Sequence, residues 1–137
     1  MALQWTEDLA VGVGRIDAQH QEIFSKYNEF LDSCKSGQGR TSLLGLLDFL
    51  VDYVDEHFSH EEQLMAEYDY PDREQHIAMH RELTGIVLAL RGRFIDEGPS
   101  LSMITELNRT IFEWLVTHIR KTDVELGNYL NRKWGLF

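Results

Sequence analysis

Apolar residues recur three and four positions apart in four successive segments of this chain, and histidine interrupts every one of those stripes. Ile16, Ile23, Tyr27, Phe30 and Cys34 line the first segment; Leu43, Leu47, Leu50, Val54 and Leu64 line the second. Leu83, Val87, Leu90 and Phe94 line the third. Ile104, Leu107, Ile111 and Leu115 line the fourth, with Thr122, Glu125 and Tyr129 falling in the same register. That spacing puts each set on one face of a helix. No segment alternates with period two, so a strand reading fails. Gly12 and Gly14, Ser36-Gly37-Gln38-Gly39, Tyr70-Pro71-Asp72 and Gly98-Pro99-Ser100 break the pattern between segments. The expected fold is all-α: an antiparallel, up-down-up-down four-helix bundle with an N-terminal loop arm. Its helices fall near 16–35, 41–67, 72–96 and 100–132, within one domain over residues 1–137.

Five of the six histidines, His20, His57, His76, His80 and His118, occupy stripe positions where a bundle ordinarily carries Leu or Ile. In antiparallel helices the start of the first and third lies level with the end of the second and fourth. His20, the His57/Glu61 pair, the His76/His80 pair and His118 therefore share one layer. Residues four apart differ by only ~40° around a helix, so both members of each pair can face one point. Buried imidazoles and carboxylates are costly unless paired or bound to metal, and their convergence points to a metal site.

Three neighbours are expected outside it. His60 lies ~60° round the helix from His57 and should be solvated. Glu62 reads as surface charge, and Glu22 should face away. The last acidic position is in conflict. Asp123, five residues after His118, is ~140° away on a regular helix, whereas Glu125, seven after, falls on the stripe. Asp123 reaches the site only if the last helix carries a one-residue π-bulge.

Composition narrows the partners. A formal net charge of −10, from 23 acidic and 13 basic residues, argues against nucleic acid and against an anionic membrane surface. The same charge favours a monomer. No stretch approaches the ~20 apolar residues of a membrane span, and the N-terminus shows no signal-peptide pattern. The expected compartment is the cytoplasm. Cys34, the single cysteine, reads as a small buried core residue.

The chain resembles the bacterial hemerythrins over essentially its whole length. The resemblance rests on Trp5, Gly12-Val13, Ile16-Asp17, Gln19-His20 and Phe24, then on His57-Phe58-Ser59-His60-Glu61-Glu62 with Met65 and Tyr70-Pro71. His76 and His80 match that family's HxxxH, and Trp114-Leu115 with His118 and Asp123 match its last-helix HxxxxD. The resemblance decides for Asp123 over Glu125. It implies two iron ions (Fe2+/Fe3+), one on His76, His80 and His118 and the other on His20 and His57. Glu61, Asp123 and an oxo or hydroxo species would bridge them. It also implies an open position for dioxygen on the second iron, in a pocket lined by Ile23, Phe58, Trp114 and Leu115.

The implied function is reversible dioxygen binding, not catalysis, for storage, transport or delivery to oxygen-requiring enzymes. An oxygen-sensing module of a signalling or chemotaxis protein is one alternative. A di-iron peroxidase or nitric-oxide-handling enzyme is another. A start at Met1 and a short tail after Leu130 favour the stand-alone carrier. A structural zinc bundle is disfavoured, because seven ligands exceed a tetrahedral site.

Overall fold

In the computed structural model, which describes residues 4–135, four long helices follow a short N-terminal arm. Helix α1 spans Gly14–Lys35, α2 Gly39–Glu67 and α3 Arg73–Glu97. Helix α4 is continuous from Leu101 to Lys133, but two of its stretches, Leu107–Phe112 and Ile119–Asp123, are π-helical. The arrangement is the four-helix bundle that the periodicity predicts.

Three helix ends have a clear local cause. Ser100 precedes α4 in extended conformation, and its Oγ accepts the Met103 N–H at 3.2 Å, satisfying one of the orphan donors of the first turn. Gly98 ends α3 with φ 80°, a conformation that side-chain-bearing residues rarely adopt. Before α1, the Asp17 carboxylate accepts the N–H groups of Val11 at 2.7 Å and Gly12 at 3.2 Å, turning the arm into the helix.

The arm then crosses α4. Gly127 is buried there because the arm leaves no room for a side chain: a Cβ would fall on the Val11 carbonyl oxygen. Asn131 Nδ2 donates to the Gly12 carbonyl at 3.0 Å, and Arg120 pairs with Asp8 at 2.7 Å. Leu9 and Trp5 bring the start of the arm onto the main core.

The apolar interior is in two parts. A large cluster runs from Phe30, Leu43 and Leu47 through Val87 and Leu107 to Ile23, Phe58, Leu115 and Ile119. A smaller one joins Met65, Tyr70, Leu126 and Leu130. On α2 and α4, a buried polar pair separates the two clusters: Glu61 lies between Phe58 and Met65, and Asp123 between Ile119 and Leu126. Leu64, which periodicity places on the core stripe, is only half-buried, and Met65 takes its place. Cys34 is likewise half-buried rather than buried; its Sγ sits where Gly39 leaves space, 2.6 Å from where a Cβ would be.

Candidate metal centre

Seven polar side chains fill one layer of the bundle, each 0–4% exposed: His20, His57, Glu61, His76, His80, His118 and Asp123. Helix α1 contributes His20, α2 the His57/Glu61 pair, α3 the His76/His80 pair and α4 the remaining two. The α4 pair depends on the π segment Ile119–Asp123. Its hydrogen bonds reach five residues instead of four, so a five-residue spacing returns to the same face. Asp123 is thereby 1% exposed, with its Oδ1 3.1 Å from His118 Nε2. Glu125 is exposed. The same insertion carries Leu126 and Leu130 into the interior, in place of the register through Thr122, Glu125 and Tyr129.

The donor atoms form two overlapping groups, each within 4.8 Å: Glu61, His76, His80, His118 and Asp123, and His20, His57, Glu61 and Asp123. Both carboxylates belong to both groups. Glu61 Oε2 lies 2.6 Å from His57 Nε2, and Glu61 Oε1 lies 3.2 Å from the Nε2 atoms of both His76 and His80. Asp123 Oδ2 is 3.2 Å from His20 Nε2, and its Oδ1 is 3.0 Å from His76 Nε2.

Apart from the hydrogen bond between His76 Nε2 and Glu61 Oε1, these short distances are not ordinary hydrogen bonds. Glu61 Oε2, both Asp123 oxygens, and the Nε2 atoms of His80 and His118 lack an aligned partner despite their close neighbours. The Nε2 atoms of His20 and His57 approach to 3.0 Å, where one proton at most can be shared. Lone pairs therefore converge on common points, and a cation is what such an arrangement accommodates.

Electrostatics agree. Burial opposes charge on His20 and His76, but the Asp123 and Glu61 carboxylates outweigh it and push both imidazoles up to about 9. Burial and the Glu61 charge work against ionised Asp123, yet the facing histidines, His118 foremost, hold it well below the usual carboxylate range. Glu61 is also held low, because His57 and the other imidazoles outweigh its burial. The two carboxylates thus favour positive charge on His20 and His76.

An outer set of contacts fixes the rings. Gln19 Oε1 lies 2.7 Å from His57 Nδ1, and Glu62 Oε2 lies 3.0 Å from His80 Nδ1. Accepting from Nδ1–H leaves the Nε2 lone pair facing inward. The surface-charge reading of Glu62 is thus corrected. It is half-buried, and being off the helix stripe lets it reach past its own helix to α3. His60 is corrected too: it is half-buried with its Nδ1 shielded from solvent, and burial followed by the Arg15 charge pushes its pKa down. It belongs to neither group of donors. Glu22 is exposed, as its position predicts.

Among the apolar neighbours, Ile23 and Leu115 are each 1% exposed. Phe58 stacks on His80, with centroids 3.8 Å apart, and half-buried Trp114 stacks on His118 at 4.6 Å.

The chain that carries this His-rich, two-part cluster is matched among known proteins. The Hemerythrin family, described as the hemerythrin HHE cation binding domain, matches residues 11–130. This chain belongs to the hemerythrin family. The bacteriohemerythrin of Methylococcus capsulatus is 35% identical over 133 residues, covering 96% of this chain and 99% of the relative. The myohemerythrin of Theromyzon tessulatum is 25% identical over 120 residues, covering 88% and 87%. A crystal structure of wild-type hemerythrin superposes with a TM-score of 0.82 at 34% identity, covering 95% of this chain and 98% of the other. Hemerythrins are built around a di-iron centre, and the layer described above is where this one would sit.

Proposed function

We propose that this hemerythrin-family protein acts as a single domain that binds dioxygen reversibly for storage, transport or delivery. Hemerythrins are di-iron oxygen-binding proteins rather than enzymes. The observation that carries the reading is the pair of donor groups sharing both carboxylates. His76, His80 and His118 would hold one iron, His20 and His57 the other, with Glu61 and Asp123 bridging. Two irons (Fe2+/Fe3+) held there would supply the redox chemistry for reversible dioxygen binding.

The chain's own residues set the conditions for that exchange. Five imidazoles against two carboxylates make a donor set softer than the carboxylate-rich sites of oxidising di-iron bundles. Glu62 and Gln19 keep His80 and His57 in the tautomer that presents Nε2 inward. With one imidazole fewer, the His20/His57 end would keep a position for dioxygen. Ile23 and Leu115 would supply an apolar wall there, whereas Phe58 and Trp114, expected in the same pocket, stack on His80 and His118 at the three-histidine end. Such a wall admits a small neutral gas and excludes water and larger substrates.

No helix among the described residues is long and apolar enough to cross a membrane. The net charge of −10 favours a monomer, read here as cytoplasmic, with an oxygen-requiring enzyme or a signalling domain as recipient.

Elemental analysis should give two irons per chain. The ferrous protein should gain a visible charge-transfer band in air and lose it under vacuum, over repeated cycles. Zinc in place of iron after iron-replete expression would overturn the assignment. Steady consumption of a reductant in air, with no reversible band, would replace the carrier with an enzyme.

A further inference from the structure

Tyr53 lies one turn before His57 on α2, and no role so far described uses it. Its ring stacks on the His57 imidazole, with centroids 4.9 Å and planes 19° apart, and Phe49 packs at 5.8 Å from it. The residue is 6% exposed, yet no group among the described residues hydrogen-bonds its buried hydroxyl. Phe would fill the same space without leaving a buried donor unpaired, a liability that folded proteins rarely keep without cause.

The surroundings give the hydroxyl a direction of action. Its ring covers His57, whose Nε2 lies 3.0 Å from His20 Nε2 and 2.6 Å from Glu61 Oε2, so the hydroxyl belongs to the His20/His57 end of the layer. Ile23 and Leu115, the other residues assigned to this end, offer no donor of their own.

We propose that the Tyr53 hydroxyl donates a hydrogen bond to the small ligand held at the His20/His57 end of the centre, a role that rests on the dioxygen reading above. One donor in an apolar pocket favours ligands that take on negative charge there, dioxygen and small linear anions, over neutral molecules of similar size.

Azide on the ferric, iron-loaded protein is the probe, with Tyr53→Phe as the variant. Azide should bind Tyr53→Phe about five- to tenfold more weakly, within the range one net hydrogen bond covers, at unchanged iron content. Urea unfolding of the metal-free proteins is the second measurement. Tyr53→Phe should be at least as stable as the parent, because it removes an unpaired group. Equal azide affinity in the two proteins would overturn the proposal. A loss of iron in Tyr53→Phe, or of metal-free stability, would also overturn it by assigning the hydroxyl to the scaffold. A parent protein that takes up two irons and binds neither azide nor dioxygen would instead overturn the dioxygen reading beneath it.

Discussion

The two ends of the metal layer share two carboxylates and differ in nearly everything else. At the His76/His80/His118 end, the rings of Phe58 and Trp114 lie flat on two imidazoles, and the Glu62 carboxylate accepts from the Nδ1 of His80. At the His20/His57 end one imidazole is missing, the neutral amide of Gln19 faces His57, and Tyr53 stacks on it with an unpaired hydroxyl. A charged acceptor makes an imidazole a stronger donor to a metal than an amide does. The asymmetry expected of a site that holds one iron firmly and keeps a place free on the other is therefore written twice: in the number of histidines and in what stands behind them.

Asp123 serves both ends, so its loss should have the largest effect. Asp123→Ala should abolish the paired-iron centre, whereas exposed Glu125→Ala should retain two irons; elemental analysis with the visible spectrum reads both. Iron kept by the first variant and lost by the second would show that the π segment does not deliver the functional carboxylate.

Leu115→Ala should separate ligand retention from metal retention. It removes a buried wall residue one turn before His118, at a stability cost of ~2–5 kcal/mol, and opens space for water. The oxygenated form should autoxidise faster with iron stoichiometry intact. An unchanged lifetime of that form would exclude Leu115 from the wall.

Glu62→Gln and Gln19→Leu test the outer contacts. Each should weaken iron binding by about 10–100-fold, with Glu62→Gln acting on the three-histidine end. Chelator-driven iron release should then become faster for one iron per chain, not both. Equal acceleration for both irons would mean that the ends are not independently supported.

The smallest effect expected is in the metal-free protein. His20 and His76 are raised from 6.5 to about 9 in the fold, so the native state favours their protonated forms. That stabilisation is fully present below about pH 6.5 and is lost as the pH rises through about 9. The urea midpoint should fall across that window, and the fall should vanish once iron replaces the protons.

Much of this was legible in the chain. Helical period, breakers and shared height followed from local spacing, because a bundle buries one face of each helix and the sequence has to mark that face. The His57/Glu61 and His76/His80 pairs were readable for the same reason: four residues nearly close a turn. Periodicity failed in α4, where it favoured Glu125 and required a bulge for Asp123. The structure contains that bulge at Ile119–Asp123, and a second π segment at Leu107–Phe112, where Leu107, Ile111 and Phe112 are all buried core. The two are alike in hydrogen bonding, yet only one carries a polar residue inward, so neither apolar pattern nor local conformation distinguishes them.

By itself, then, the sequence determined most of the interior, that five histidines and Glu61 stood within it, and at what height they would meet. Only the tertiary structure decided that a π segment turns Asp123 inward, how Glu62 and Gln19 reach rings on neighbouring helices, and that His60 is half-buried. Those outcomes depend on the distance and rotation between helices. The packing of all four helices together sets both, and no single stripe encodes either.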